Sequence, residues 1–230
     1  MPNLIFLPGA SGSTTFWHPL INKLSHTESK QVIAYPSFGD EPSHQSVYDF
    51  ASLSNYVLQQ IQSESILIAQ SMGGIFAVQA AIARPDLIKG LVLLATSGGI
   101  DLTPFQVQDW RTAYQQQYLH YPDWFVDIQI DLSQQLEKIR IPVLLLWGDQ
   151  DAISPIAVGE TLQQKFPQAQ LHIIHGGDHA FAEHHSEEVA AYIQQYLSHF
   201  NFQVYGGYDV CRIPTVTRYV AESKRNTKSV

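Results

Sequence analysis

A serine between small residues is the first feature of the sequence that could carry chemistry. Ser71 follows an apolar run, precedes an apolar stretch with helical spacing, and has Gly73 two positions later. The strand–turn–helix pattern G-x-S-x-G exposes a serine hydroxyl on a strained turn. Ala69 stands where that pattern has glycine, a departure of one methyl group. We predict that Ser71 is a nucleophile rather than a helix N-cap.

A serine hydroxyl needs a base to take its proton, and an acid must hold that base in one orientation. Asp151 and His179 follow two later apolar runs, which gives the order serine, aspartate, histidine. A Gly-Gly pair shortly before His179 frees its loop to turn the ring towards the serine. We predict His179 as the base and Asp151 as the acid. Asp149 is predicted to fix the turn, and Asp101 is a more distant candidate for the acid.

Acyl transfer also requires donors for the negative charge that develops on the carbonyl oxygen. The first apolar run ends in a glycine-rich loop, LPGASGS, whose N–H groups can turn inward. We predict that the N–H groups of Ala10 and Met72 form this donor pair. The loop matches neither G-x-x-x-x-G-K-[ST] nor G-x-G-x-x-G, which argues against phosphate binding.

Metal binding is the alternative use of the histidines. His175, His179 and His184 lie close together in the sequence, but they lack H-E-x-x-H spacing and a suitable carboxylate. We therefore expect no metal and no organic cofactor. His172 falls inside an apolar run, whereas His184 and His185 open the last helical stretch, where solvent exposure is expected.

Short apolar runs that alternate with helical stretches must position these side chains. This alternation predicts an α/β fold: a mostly parallel sheet of about six strands flanked by helices, with a crevice at the strand C-termini. Ser154-Pro155 is predicted to cap and open one helix, and Arg84-Pro85 to end another. The predicted strands are Leu4–Leu7, Val32–Tyr35, Ile66–Ala69, Leu91–Ala95, Val143–Trp147 and Leu171–Ile174; the predicted helices are 15–24, 46–62, 72–83, 154–166 and 186–199.

An aromatic-rich interval interrupts the alternation, and we predict a short helical lid insertion at about residues 98–138. Trp110, Tyr114 and Tyr118 are spaced i, i+4, i+8, on one face of a helix. These aromatic residues suit both core packing and the cover of an apolar substrate pocket. We predict that Trp110, Tyr114 and Trp124 contact the substrate.

Length and charge exclude several classes of protein. The chain has 230 residues, 45% of them apolar, and a formal charge of −8, the wrong sign for a nucleic-acid binder. Cys211 is its one cysteine, so an internal disulfide is excluded, and the apolar runs are too short for a membrane span. The first residues do not resemble a signal peptide, so we expect a cytoplasmic location.

We predict one domain at residues 1–200 and a poorly ordered extension at 201–230, although a basic docking tail is the alternative.

Five segments in order, LPGASGSTTFW, AQSMGG, ARPDLIKGLVLLA, IPVLLLWGDQDAISP and GGDHAF, resemble the α/β-hydrolase superfamily over about residues 3–199. The similarity is greatest to small single-domain carboxylesterases, which include pimeloyl-carrier-protein methyl ester esterases. The resemblance implies Ser71, Asp151 and His179 as the catalytic triad, with Ala10 and Met72 as oxyanion donors. Pro8 and Ala69 depart from the family's usual histidine and glycine.

These observations predict a serine hydrolase that cleaves a small carboxylic ester through an acyl-enzyme. A thioesterase, a carbon–carbon bond hydrolase or a perhydrolase could use the same serine. Two non-enzymatic alternatives are a ligand binder that retains the fold and an interaction protein that acts through its tail. The expected partner is a small-molecule ester. An acidic carrier protein would meet an acidic body, which argues mildly against that partner.

Overall fold

Six strands form one sheet in the computed structural model, which describes residues 2–25 and 29–201. The strands are β1 (Asn3–Leu7), β2 (Lys30–Val32), β3 (Ser65–Gln70), β4 (Ile88–Leu94), β5 (Val143–Gly148) and β6 (Ala169–Ile174). Their order across the sheet is β2-β1-β3-β4-β5-β6, and every neighbouring pair is parallel. The predicted α/β fold class is confirmed.

Helices cover both faces of this sheet. One of them, the helix at 72–83, ends at Ala83 as predicted, because Pro85 disfavours helical backbone at Arg84. The helix at 50–60 begins with a capping box, in which the Asp49 carboxylate accepts the Ser52 N–H at 2.7 Å. The helices are α1 (His18–Ile21, after a 3-10 turn at Thr15–Trp17), α2 (Phe50–Gln60), α3 (Met72–Ala83), α4 (Arg111–Gln117), α5 (Ser133–Leu136), α6 (Ile156–Lys165), α7 (Phe181–His184) and α8 (Ser186–Asn201).

Alternate residues of each strand enter two separate cores, because successive side chains of a strand point to opposite faces. In β1, Ile5 and Leu7 pack in the core that contains α2, α3 and α6, whereas Leu4 and Phe6 pack with α1 and α8. Each fully buried side chain of this size contributes about 1.5–3 kcal/mol. Burial on both faces explains why the strands are continuous apolar runs rather than alternating ones.

The strand order reverses between β1 and β3. The chain runs from β1 outward to β2 and then returns past β1 to reach β3. In open α/β sheets, ligands bind beyond the C-terminal ends of the strands at such a reversal. The loop after Leu7 and the turn after Gln70 both begin there, so the sheet places the glycine-rich loop beside Ser71.

The predicted second strand, Val32–Tyr35, is wrong in position. The structure ends β2 at Val32, and one further backbone hydrogen bond joins the Ile33 N–H to Phe6 O at 3.0 Å. Tyr35 lies beyond the ladder, fully buried, and its hydroxyl donates to Pro8 O at 3.0 Å. The apolar run continues past the strand because it enters the core, not because it stays in the sheet.

The predicted N-cap at Ser154 is also wrong. Pro155 is the N-cap of α6, and no side chain caps this helix. The Ser154 hydroxyl instead accepts a hydrogen bond from the indole N–H of Trp147 at 3.2 Å. Ser154 and Trp147 are both buried, so an indole N–H without a partner would destabilise the fold more than a helix without a side-chain cap.

Residues 98–138 lie between β4 and β5 and contain the two short helices α4 and α5. We call this segment the insertion. The predicted extension at 201–230 lies outside the described residues, except for Asn201 at the end of α8. Within the described ranges, no helix is long and apolar enough to cross a membrane.

Candidate active site

Ser71 lies on the sharp turn between β3 and α3. Its backbone has φ 52° and ψ −121°, in the left-handed region that non-glycine residues rarely adopt. Such a conformation costs about 1–3 kcal/mol and persists only where the surroundings enforce it. Gly73 shows why a small residue is needed: a Cβ there would collide with the carbonyl oxygens of Leu7 and Pro8. Ala69, the departure from the glycine pattern, is accommodated inside β3.

Hydrogen bonds on both sides of Ser71 hold the strained turn. The Ser71 N–H donates to Leu94 O at 3.0 Å, and the Ser71 carbonyl accepts from the Thr96 hydroxyl at 2.6 Å and from the Gly74 N–H at 3.0 Å. Thr96 is buried, so its hydroxyl cannot exchange this partner for water. The end of β4 therefore fixes the orientation of the serine.

A partly buried histidine–aspartate pair joins the loops that follow β5 and β6. His179 Nδ1 lies 2.8 Å from Asp151 Oδ2. The second oxygen, Oδ1, accepts the N–H groups of Ile153 and Ser154, both at 2.9 Å. The Asp151 side chain is completely buried, whereas the His179 ring is 25% exposed. The carboxylate is thus fully hydrogen-bonded, and the ring keeps one nitrogen free of it.

A second histidine–aspartate pair lies on the outer side of the same two loops. His175 Nδ1 is 3.0 Å from Asp149 Oδ2, and the Gly176 N–H donates to Asp149 Oδ1 at 2.7 Å. These two hydrogen bonds, that of His175 first, lower the pKa of Asp149. The His175 ring is 88% exposed. Asp149 therefore anchors the turn, as the sequence predicts, and Asp101 lies apart, hydrogen-bonded to Thr103.

Gln70 connects the serine turn to the histidine loop. Its side chain is almost fully buried, and its Nε2 donates to the His179 carbonyl at 3.2 Å. Its Oε1 occupies the space beside Gly9 that a Cβ would need. Within the described ranges, no hydrogen bond joins the Ser71 hydroxyl to the His179 ring. The structure therefore brings Asp151 and His179 into contact and links their loop to Ser71 through Gln70.

The glycine-rich loop, residues 8–13, passes directly over the serine turn. A Cβ on Gly9 would lie 3.3 Å from the Ser71 Cβ. Met72 is the first residue of α3, and the first N–H groups of a helix have no partner within it. Among the backbone hydrogen bonds of the described residues, the Ala10 N–H is not a donor. The two N–H groups predicted as oxyanion donors thus lie on adjoining segments next to Ser71.

The three aromatic residues predicted to contact substrate all pack in the insertion. Tyr114 is buried, and its hydroxyl donates to Ala10 O at 3.1 Å. The Trp110 ring stacks on Phe125 with centroids 5.8 Å apart, and Trp124 meets Phe38 edge-on at 5.7 Å. These rings cover the core on the α2 and α3 side, so core packing accounts for much of their burial.

His172, His184 and His185 have surroundings of their own. His172 stacks on Tyr192 with centroids 4.4 Å apart, and burial lowers its pKa. The expectation that His184 and His185 open the last helix is wrong: His184 ends the short helix α7, and α8 begins at Ser186. In the part of the chain that the structure describes, no group of three His, Cys, Asp or Glu side chains could hold a metal ion.

Gln70, Thr96 and Tyr35 are site residues that the sequence analysis missed. Two of them stand at the C-terminal end of a strand, Gln70 as the last residue of β3 and Thr96 just after β4. A polar residue at that edge of a parallel sheet is the signal that could have indicated them. Tyr35 gave no such signal, because it closes an apolar run that looks like a strand.

A family comparison identifies the class of protein. Residues 2–127 and 104–185 match the family model described as alpha/beta hydrolase fold. The chain therefore belongs to the α/β-hydrolase family and is an enzyme of that class. The resemblance found in the five sequence segments is confirmed.

Individual relatives are distant. An uncharacterised hydrolase of Bacillus subtilis is 26% identical, and the match covers 70% of this chain and 77% of the relative. A pimeloyl-[acyl-carrier protein] methyl ester esterase of Neisseria meningitidis is 25% identical, and the match covers 77% of this chain and 71% of the relative. Among solved structures, a thermophilic esterase from Thermogutta terrifontis has a TM-score of 0.70 and 18% identity, covering 86% of this chain and 90% of that chain. At this identity the structural likeness shows the fold.

Proposed function

We propose that this α/β-hydrolase is a serine carboxylesterase that cleaves small carboxylic esters through Ser71, His179 and Asp151. One observation carries the proposal: a strained serine and a histidine on a buried carboxylate stand at the same edge of the sheet, with Gln70 between their loops. Backbone strain at a polar residue beside such a pair is typical of an activated nucleophile. The esterase names among the relatives agree with this chemistry.

The first half-reaction acylates the serine. Because Asp151 binds Nδ1 of His179, Nε2 is the nitrogen that takes the Ser71 proton as Oγ attacks the ester carbonyl. The carbonyl oxygen becomes an oxyanion, which the N–H groups of Ala10 and Met72 stabilise. The tetrahedral intermediate then expels the alkoxide, and the protonated His179 gives its proton to that oxygen, so the leaving group departs as the alcohol.

The second half-reaction releases the acid. Water gives a proton to His179 and attacks the acyl-enzyme carbonyl, which forms a second oxyanion at the same donors. Collapse of this intermediate breaks the bond to Ser71 Oγ, and His179 returns the proton to that oxygen. The products are a carboxylic acid and the regenerated enzyme, and no cofactor enters either step.

The charge of the insertion favours a free ester over an ester carried on an acidic protein. The Neisseria relative's name describes an ester on an acyl-carrier protein. Residues 98–138 contain six acidic and two basic residues, and all six acidic side chains are exposed. Arg111 is engaged within the insertion, with its Nε donating to Val126 O at 3.0 Å and its Nη1 3.6 Å from Asp109. An acidic carrier would therefore meet like charge, which slows association.

The test is hydrolysis of short p-nitrophenyl esters by the wild type and by Ser71→Ala. The variant should lose at least about 10³-fold in kcat, since the nucleophile is removed. A fluorophosphonate probe should label the wild type at Ser71 and leave the variant unlabelled. A free methyl ester should be hydrolysed at least as fast, in kcat/KM, as the same acyl ester on an acidic carrier protein.

Substantial turnover by Ser71→Ala would overturn the proposal. Tight ligand binding without probe labelling would instead identify a non-catalytic binder. A kcat/KM that is much higher for a thioester of the same acyl group would make the enzyme a thioesterase. Ser97→Ala is the matched control, because Ser97 lies on a neighbouring loop where, among the residues that the structure describes, its hydroxyl accepts only the Gly99 N–H.

A further inference from the structure

Two tyrosine hydroxyls hold the glycine-rich loop that passes over Ser71. Tyr35 donates to Pro8 O at 3.0 Å, and Tyr114 donates to Ala10 O at 3.1 Å. Tyr35 comes from the segment after β2, whereas Tyr114 comes from α4 of the insertion, 104 residues away from its partner. Two further carbonyls of the loop have backbone donors: the Gly12 N–H donates to Gly9 O at 3.0 Å, and the Gly39 N–H donates to Ser11 O at 3.1 Å.

These bonds fix the directions of the loop carbonyls, and the Pro8 carbonyl oxygen packs against Gly73 of the serine turn. The Ala10 N–H shares a planar peptide group with the Gly9 carbonyl, which the Gly12 N–H holds. Only the two soft backbone angles of Ala10 separate this N–H from the Ala10 carbonyl, so fixing that carbonyl as well limits how far the N–H can turn. The hydroxyl of Tyr114 therefore restrains the N–H that the proposed mechanism assigns to the oxyanion.

The ring of Tyr114 is itself fixed by its neighbours. Phe125 meets it edge-on at 4.9 Å between centroids, Tyr118 lies at 4.8 Å, and Trp110 at 6.0 Å. Burial raises the pKa of Tyr114, and the nearby Asp123 charge raises it further, so the hydroxyl remains protonated and able to donate. A donor that is held in place and cannot ionise near neutral pH is suited to orient a backbone group.

We infer that Tyr114 is a positioning residue for catalysis: its hydroxyl holds the Ala10 carbonyl so that the Ala10 N–H receives the oxyanion. This inference rests on the proposed function. It assigns to the insertion a role in transition-state stabilisation, in addition to its packing against the core. The prediction that Tyr114 contacts the substrate stays a prediction, although a hydroxyl that donates to Ala10 O is not available to donate to the substrate.

The test is Tyr114→Phe, which keeps the ring and removes only the hydroxyl. We expect kcat to fall about ten-fold, less than the 10²–10³-fold loss when an oxyanion donor itself is removed, with KM within about two-fold of wild type. Binding of a boronic acid, which forms a tetrahedral adduct with an active serine, should weaken by the same factor as kcat. Binding of the product carboxylic acid should not change.

Tyr118→Phe is the matched control. Tyr118 neighbours Tyr114 at the end of α4, and its hydroxyl has no hydrogen bond within the described ranges, so kcat should not change. The inference is overturned if Tyr114→Phe retains the wild-type kcat, if only its KM changes, or if Tyr118→Phe has the same effect. If Ser71→Ala remains active, the proposed function and this inference fail together; if Ser71→Ala is inactive but Tyr114→Phe behaves as wild type, only the inference fails.

Discussion

Two histidine–aspartate pairs of similar geometry arise from the same two loops. Asp149 with His175 and Asp151 with His179 are each formed across the ends of β5 and β6, with N···O distances of 3.0 Å and 2.8 Å. The outer pair has a ring that is 88% exposed and a carboxylate that is 25% exposed. The inner pair has a ring that is 25% exposed and a carboxylate with no exposure.

The difference between the pairs lies in their surroundings rather than in their chemistry. Solvent screens the outer pair, so its interaction is worth little. The inner carboxylate is held by two backbone N–H groups, and the carbonyl of the inner histidine is held by Gln70. A histidine–aspartate contact therefore indicates a catalytic role only where burial and a neighbouring nucleophile accompany it.

Replacing each carboxylate by an amide should distinguish the two pairs most clearly. Asp151→Asn should lower kcat/KM by about 10³–10⁴-fold, because the amide no longer holds the imidazole in the tautomer that accepts the serine proton. Asp149→Asn should change kcat/KM by less than about three-fold. Steady-state kinetics with a p-nitrophenyl ester, with circular dichroism to confirm folding, measures both. Equal losses in the two variants would mean that burial does not distinguish the pairs.

Gln70→Leu should lower activity less than Asp151→Asn does, because it disturbs only the loop that carries the histidine of the inner pair. The substitution removes the donor to the His179 carbonyl and leaves that carbonyl without its partner. We expect kcat/KM to fall about ten-fold, because the histidine loop loses its link to the serine turn. Gln150→Leu is the control, since Gln150 is exposed and, within the described residues, its side chain hydrogen-bonds only to Asp149. A wild-type rate for Gln70→Leu would show that the link has no role in catalysis.

The smallest expected effect concerns stability at the outer pair. The pKa of Asp149 is lowered in the folded protein, so its ionised form favours folding at pH values above its ordinary pKa of about 3.9. This contribution is lost as the pH falls through the folded pKa. Urea unfolding of the wild type and of Asp149→Asn between pH 6 and pH 3 should therefore give stabilities that converge towards acid pH. A difference that stays constant over this range would contradict the assignment.

Much of the fold could be predicted from the sequence because it depends on local patterns. Strands buried on both faces leave continuous apolar runs, and five of the six appear within a few residues of their predicted positions. The order serine, aspartate, histidine at strand ends then follows from the topology of a parallel sheet. The second strand was misplaced because Ile33 and Tyr35 are buried for reasons of tertiary packing, which a local pattern does not distinguish from a strand.

Contacts between distant loops could not be predicted. Gln70 reaches the His179 carbonyl across 109 positions, and Tyr114 reaches Ala10 across 104. Glutamine and tyrosine are common residues with no spacing that marks them, so only the assembled sheet shows what they meet. The catalytic residues predicted from motifs remain predictions, whereas the residues that hold them became visible only in three dimensions.

The backbone angle at residue 71 also constrains attempts to make the protein more heat-resistant. Glycine adopts a positive φ without the steric cost that serine bears there. Directed evolution for thermal tolerance alone would thus favour loss of the hydroxyl at the position where the proposed chemistry requires it. An engineer who screens such a library should select for turnover and heat survival together.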